Sequence, residues 1–450
     1  MYLYLVFFTY CLIAASIVFV MFCADTDSKG VLGDVSRVLI NKLPNMIRVS
    51  LKALCGERCL SFVDGSYDYI VNKPNPLLQI LYLSIINVAY IFWLLHGQPL
   101  IPTYLVANYH VYIVFCGIVV CQGFFFWACY ANPGVITAET EALHDCLPYD
   151  GTVYVDGLHC RTCETKKVPR SKHCSLCNCC IARFDHHCVW LNQCVGEGNY
   201  RHFLAFLAVH VVFLWYASYI SGAVMISKAF EKDLFNATFV NRRTGKISKA
   251  TTGIILKYIL FSNYTVTIVF ALVSVMGAAL TGFLGYHLYL ISQGTTTNET
   301  FKWKEAHSIY KRLVELREMY EKSLTSSPSS TMDSSRDKSS DPSDDTAEET
   351  SSSSENVEVM YMTPTGMALR GLLRLDTNDV PDPGEPPVNI YNKGFLTNLS
   401  DVIWPLSSRP ENIDRCTRTV SDNQPLTEGV GKNERTSSQA GKKKSKQKKR

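Results

Sequence analysis

Long uninterrupted apolar runs constrain this chain more than any other feature. The first, "YLYLVFFTYCLIAASIVFVMFC", covers residues 2–23, and comparable blocks lie at about 77–95, 104–130, 203–226 and 266–290. Each is close to the ~20 residues that a helix needs to cross the hydrocarbon core of a bilayer. No water reaches that core, so backbone N–H and C=O groups must be satisfied internally, and these segments must be helices. The expected fold class is an all-α polytopic membrane protein with about five transmembrane helices. Composition agrees, with 47% hydrophobic, 12% aromatic and only 19% charged residues. A signal peptide is the other reading of residues 1–23. It is disfavoured because no Lys or Arg precedes the run and because the run is too long for a signal h-region.

Charge placement gives an expected topology. Lys29, Arg37, Lys42 and Arg48 follow the first run, which puts the N-terminus outside and the next segment in the cytosol. The link "HGQPLIP" between the second and third runs has no Lys or Arg, as a lumenal turn should. Residues 131–202 carry seven Lys or Arg and are expected in the cytosol. Alternation then makes 227–252 lumenal, against its six basic residues but in keeping with the sequon at Asn236 and the lack of cysteine in either lumenal loop. The resulting organisation is an anchor at 1–23, a transmembrane hairpin at 77–130, a cytosolic cysteine-rich domain at 131–202 and a second hairpin at 203–290. A polar segment with a short helix follows at 291–322, then a Ser- and Asp-rich linker at 323–385, an aromatic piece at 386–404 and a basic tail at 405–450. The linker and tail have too little apolar surface to offset the entropy of ordering and are expected to be disordered. The net charge of +4 says little about partners, because basic charge is concentrated in the closing "GKKKSKQKKR". That ending reads either as a di-lysine retrieval signal, which points to the endoplasmic reticulum rather than the Golgi or plasma membrane, or as a patch for anionic lipid.

Eight of the seventeen cysteines fall between Cys160 and Cys194. Clustered C-x2-C spacings in a reducing compartment indicate metal binding rather than disulfides. The cluster reads Cys160-x2-Cys163-x9-His173-Cys174-x2-Cys177-x2-Cys180-x4-Asp185-His186-His187-Cys188-x5-Cys194. Structural zinc takes four Cys or His ligands, so two ions need eight. The cluster offers ten candidates even without Cys179, and at least two are surplus. A free thiol beside an imidazole is an activated nucleophile, and an aspartate that accepts from the imidazole fixes its tautomer. Asp185, His186 and Cys188 have the residue types for those three roles. Two rival readings are a non-catalytic zinc adaptor anchored in the membrane and a zinc-dependent hydrolase. The first leaves the acid, base and thiol without purpose. The second needs a zinc with an open position, which eight structural ligands would not leave. Nucleic-acid binding does not suit a loop held between membrane spans.

The run C-x2-C-x9-H-C-x2-C-x2-C-x4-D-H-H-C-x5-C resembles the cysteine-rich domain of the DHHC protein S-acyltransferases, or palmitoyltransferases. Asn132-Pro133-Gly134 resembles the family's DPG element, Thr296-Thr297-Asn298-Glu299 its TTxE element, and 389–403 its C-terminal motif, with Tyr391 and Asn398 at the key positions. Val189 and Gln193 depart from the usual Pro and Asn; the DHHC-V-W run, the NPG and the extra N-terminal span resemble one subgroup, the fourth numbered type. The resemblance implies one zinc on Cys160, Cys163, His173 and Cys180, and a second on Cys174, Cys177, His187 and Cys194. It implies palmitoyl-CoA as acyl donor, an acyl-Cys188 intermediate, His186 as general base oriented by Asp185, and cysteine-bearing proteins as substrates. Thr297 is expected beside Asp185. The fatty chain is expected among the last four spans and the CoA phosphates near Lys166, Lys167, Arg170, Lys172, Arg183 or Arg201. Cys179 is expected to be a bystander.

Overall fold

A computed structural model describes residues 30–240, 245, 247–326 and 383–410. The apolar run at 2–23, most of the Ser- and Asp-rich linker and the basic tail beyond 410 lie outside the described residues. Helix α1 (Val31–Arg37) passes through a π-helical turn into α2 (Leu43–Asn72). Helices α3 (Leu77–His96) and α4 (Tyr109–Tyr130) precede the cysteine-rich domain. That domain contains β1 (Val135–Ile136), α5 (Glu141–His144), β2 (Lys172–Cys174), β3 (Cys179–Ile181), β4 (His186–Cys188) and β5 (Gln193–Val195). Helix α6 (Tyr200–Glu231), a hairpin of β6 (Thr238–Val240) and β7 (Ile247–Lys249), α7 (Thr252–Ser262) and α8 (Tyr264–Ser292) follow. Helices α9 (Thr297–Ser326) and α10 (Phe395–Ile403) complete the described chain.

Among the described residues four helices are long and apolar enough to cross a membrane: Leu77–Leu100, Tyr109–Tyr130, Tyr200–Glu231 and Tyr264–Ser292. Helix α6 packs along α8 and against α4, and α3 packs on α8. Trp93, Val114, Ile220, Val224 and Val266 form one buried cluster within this bundle. A second cluster joins Phe125, Phe203, Leu207 and Ile291 to Cys188, Leu191 and Val195, so the bundle and the cysteine-rich domain share a core. Large apolar side chains such as Val119, Val212 and Tyr219 face outward, as lipid contact allows.

The helix ends differ from the apolar runs for local reasons. The run beginning at Tyr104 becomes helical only at Tyr109, because Thr103 and Val106 close a turn and the Leu105 N–H donates to Ser227 Oγ. Asn263, with φ −136° and ψ 68°, separates α7 from α8. The helix after the last span is not short: α9 runs for 30 residues to Ser326. Helix α4 ends at an Asx turn in which Asn132 Oδ1 accepts the N–H groups of Gly134 (2.9 Å) and Val135 (3.2 Å). Gly134 has a φ of 91°, which a side chain would strain.

Candidate active site and metal centres

Two antiparallel hairpins build the centre of the cysteine-rich domain. In β2–β3, His173 lies opposite Cys180 and Cys174 opposite Cys179. In β4–β5, His187 lies opposite Cys194 and Cys188 opposite Gln193. Both hairpins re-enter their second strand through an asparagine with positive φ, Asn178 and Asn192, a residue type that tolerates the left-handed region. Successive strand residues point to opposite faces. Adjacent His173 and Cys174 therefore serve different sides, as do adjacent His186 and His187.

Two four-residue groups result. Cys160, Cys163, His173 and Cys180 bring one potential ligand atom each within 4.8 Å of one another, and so do Cys174, Cys177, His187 and Cys194. His173 Nδ1 lies 3.6, 3.3 and 3.9 Å from the sulfurs of Cys160, Cys163 and Cys180. His187 Nδ1 lies 3.7, 3.3 and 3.6 Å from those of Cys174, Cys177 and Cys194. A tetrahedral zinc with Zn–S of about 2.3 Å and Zn–N of about 2.0 Å would separate S and N ligand atoms by roughly 3.5 Å. Both groups fit such an ion. His186, Cys188 and Cys179 belong to neither group. Burial and the surrounding thiols push the half-buried Cys179 up to about 11, which leaves it a poor nucleophile.

On the other face of β4, Asp185 Oδ2 accepts from His186 Nδ1 at 2.6 Å. Asp185 is buried and is held by the start of α9, where Thr297 donates its backbone N–H to Oδ1 (2.8 Å) and its hydroxyl to Oδ2 (2.9 Å). The carboxylate thus sits where a helix N-terminus favours negative charge. Burial alone would raise the Asp185 carboxyl, but His186 and the Thr297 N–H outweigh it and hold it below its ordinary value. Burial would lower the His186 imidazole; hydrogen bonds with Asp185 and Cys188 instead lift it to about 10. Burial would raise the Cys188 thiol; the hydrogen bond and charge of His186, aided by the N–H groups of Leu191 and Trp190, bring it below its ordinary value. The favoured pair is therefore imidazolium and thiolate, set beside Phe125, Phe203 and Phe206 at the end of the helix bundle.

Thr296-x-x-Glu299 forms a capping box on α9. The Thr296 N–H donates to Glu299 Oε2 at 2.9 Å and the Glu299 N–H to Thr296 Oγ1 at 3.3 Å. Glu299 is fully buried and pairs with Arg170, whose Nε and Nη2 lie 2.7 and 2.5 Å from its two oxygens, while Tyr154 donates its hydroxyl at 3.0 Å. The C-terminal segment closes over this pair. Tyr391 lies under the Arg170 guanidinium and donates to the Pro148 carbonyl, and Asn398 donates to the Ile291 carbonyl at 2.9 Å. These contacts engage several of the cations named as CoA candidates. Arg170 is consumed by Glu299, Arg183 and Arg201 hold the carbonyls of Asp401 and Ile403 at the end of α10, and Lys166 pairs with Asp145 and Asp156.

Sequence reasoning missed several residues at the site. Gln193 donates to the carbonyls of Ala128 (2.5 Å) and Ala131 (3.2 Å), and Gln79 donates to that of Leu191 (2.9 Å), so the loop after Cys188 is fastened to the ends of α4 and α3. His287 is buried 6.0 Å, centre to centre, from the His186 ring and shares a 2.9 Å hydrogen bond with Tyr200. Gln193 showed in the sequence only as a departure from a pattern, and His287 as one polar residue within an apolar run.

Comparison with known proteins completes the assignment. The family model described as DHHC palmitoyltransferase matches residues 154–304. Palmitoyltransferase SWF1 of Yarrowia lipolytica is 30% identical over 289 residues, which are 63% of this chain and 68% of that protein. The chain belongs to the DHHC palmitoyltransferase family. Bovine palmitoyltransferase ZDHHC4 is 29% identical over 239 residues (53% of this chain, 69% of that protein), and palmitoyltransferase swf1 of Schizosaccharomyces pombe is 28% identical over 291 residues (63% and 75%). The match to ZDHHC4 fits the subgroup features noted in the sequence. This DHHC palmitoyltransferase is an integral membrane enzyme that transfers a palmitoyl group to cysteine thiols of proteins, and its two Cys/His groups could each bind a metal ion.

Proposed function

We propose that the transfer proceeds through an acyl-enzyme on Cys188, with palmitoyl-CoA as donor. The observation that carries this reading is Asp185, held by Thr297 and hydrogen-bonded to His186, with Cys188 two residues along β4 on the same face as His186. The Cys188 thiolate attacks the thioester carbonyl of palmitoyl-CoA, and the CoA thiolate leaves with the proton of the His186 imidazolium. The neutral imidazole then takes the proton of a substrate cysteine, whose thiolate attacks the acyl-Cys188 thioester. Expulsion of Cys188 restores the thiolate–imidazolium pair, and atoms and charge balance. Asp185 fixes the imidazole orientation in both steps, and Thr297 fixes Asp185. Cys160, Cys163, His173 and Cys180 would hold one zinc, and Cys174, Cys177, His187 and Cys194 the other. When bound, one ion would tie the Cys160–Cys163 turn to the β2–β3 hairpin and the other would tie that hairpin to β4–β5, and each would supply folding free energy.

The palmitoyl chain would lie among the four described spans. Besides the aromatic cluster around Cys188, an apolar cavity of about 90 Å³ lies deeper in the bundle between Tyr90, Trp93, Ile118 and Phe213. Each methylene buried contributes about 0.8 kcal/mol, so the bundle favours a long chain. The cysteine-rich domain would face the cytosol, where palmitoyl-CoA and reduced thiols are found, in the endoplasmic reticulum or a neighbouring compartment. Capture of hydroxylamine-sensitive acyl groups on purified wild-type chain and on Cys188→Ser tests the intermediate: label retained on the variant would move the nucleophile elsewhere.

A further inference from the structure

Helix α2 does not follow one axis. Gly56 has φ 78° and ψ 175°, outside helical space. Across it, Arg48 Nη2 meets Asp64 Oδ2 at 2.6 Å. In a continuous helix those positions would be about 24 Å apart at 1.5 Å per residue. The two halves, 43–55 and 57–72, therefore fold back as a helical hairpin.

Each half is amphipathic. Leu43, Met46, Ile47, Leu51 and Leu54 recur at helical spacing on one side of the first half, with Asn45, Arg48 and Lys52 on the other. Phe62, Val63, Tyr69 and Ile70 share one side of the second half, with Glu57, Ser61, Asp64 and Asp68 on the other. The ion pairs Arg48–Asp64 and Lys52–Glu57 (2.5 Å) join the two polar sides. The apolar sides consequently face outward: Leu54 is 83% exposed and Phe62 75%. A helical pair in water favours the reverse, with apolar side chains between the helices and charges outside. The charged side is itself open, with the paired side chains 43–70% exposed, so the hairpin shows one apolar and one charged face, as a segment at a lipid–water boundary does.

Its attachment specifies which lipid. The Asn75 side chain donates to the carbonyls of Tyr69, Ile70 and Lys73 at the end of the hairpin, and the Asn75 N–H donates to Asn192 Oδ1 in the loop after Cys188. Two residues later the membrane-crossing helix Leu77–Leu100 begins. The hairpin therefore starts at the membrane boundary, on the face that carries the cysteine-rich domain. Each half, at roughly 20 Å or slightly more, is too short to cross a ~30 Å core. Lys52, Glu57 and Arg58 at the turn keep that end among headgroups. We propose that residues 43–72 lie in the interfacial layer of the bilayer on the active-site side, with Leu54 and Phe62 immersed in the acyl region, as a membrane anchor joined through Asn75 to the catalytic loop.

The test uses the full chain in nanodiscs of phosphatidylcholine and phosphatidylserine. An environment-sensitive fluorescent amino acid replaces Leu54, Phe62, Lys52 or Ser61, one at a time, and autoacylation checks that each protein is folded. Quenching by phospholipid bearing a nitroxide on its acyl chain is compared with quenching by aqueous iodide. The expected result is lipid quenching several-fold stronger at 54 and 62 than at 52 and 61, with weak iodide quenching at 54 and 62. Strong iodide quenching at 54 and 62 would place the hairpin in water and overturn the proposal. Protection from both quenchers would overturn it in favour of a protein cover, from this chain or a second copy.

Discussion

Replacing Glu299 by glutamine should destabilise the chain by about 3–5 kcal/mol, the usual cost of leaving one member of a buried ion pair uncompensated. Glu299 has no solvent exposure, and its two oxygens accept from Arg170 Nε, Arg170 Nη2, the Tyr154 hydroxyl and the Thr296 N–H. Each oxygen receives two donors. An amide supplies one acceptor oxygen, so whichever way it is flipped its NH2 faces two donors, and the guanidinium loses its counter-charge. The damage should travel. Thr296 caps α9, the next residue holds Asp185, and Asp185 orients His186, so autoacylation should fall along with stability. The assay is thermal and denaturant unfolding of purified, zinc-loaded protein in detergent, alongside palmitoyl-CoA labelling. The double variant Arg170→Met/Glu299→Met removes both charges and should be less destabilised than either single change, because the penalty lies in the unpaired partner. A Glu299→Gln protein within about 1 kcal/mol of wild type, or a double variant whose loss is the sum of the two singles, would refute the reasoning.

Four further outcomes are expected. Cys188→Ser should lose autoacylation yet keep about two zinc per chain by elemental analysis, whereas His187→Ala should lose zinc and solubility, since only the latter position supplies a structural ligand. His186→Ala should stay folded and zinc-loaded but slow by about 10²–10⁴-fold in single-turnover labelling, as expected for loss of a general base. Burial lowers the Lys302 ammonium to about 8 against an ordinary value of 10.5. Between those values the unfolded chain holds a proton that the folded chain has released, so stability should rise with pH across that window, and Lys302→Met should flatten the rise. An N-glycan on Asn236 is expected if 227–252 faces the lumen, and none on Asn298 or Asn398, which are buried, the latter with its side-chain NH2 committed to Ile291 and Asn392; a glycosidase-sensitive shift abolished only by Asn298→Gln or Asn398→Gln would invert the topology.

The apolar runs and the cysteine spacing were legible because each rests on a rule that tolerates little variation: hydrocarbon thickness sets the length of a span, and tetrahedral ligation sets the number of thiols. The contact of Thr297 with Asp185 was legible only through family resemblance, since 112 residues separate the two in sequence. Three features were not legible. The fold-back at Gly56 left no mark in residue order, because a glycine within a helical pattern is tolerated without a bend. The engagement of Arg170 with Glu299 could not be told from solvated charge, because burial is a tertiary property. The role of Gln193 depends on which carbonyls stand free at the end of α4, and only the packed structure brings them within its reach.

The alternation in β4 bears on which changes of length the domain can survive. Exposed turns such as Asp156–Gly157, ahead of the first ligand, can lengthen as loops do, for a loop pays only slowly for added residues. The run Asp185-His186-His187-Cys188 has no such latitude. One residue inserted before His187 would turn every later side chain to the opposite face. The ligand would move to the face of the thiol and Cys188 to the face of the metal, so a single codon would disable catalysis and metal binding together. Length variation in related chains should therefore be found in exposed turns outside the ligand cluster and never inside the tetrapeptide.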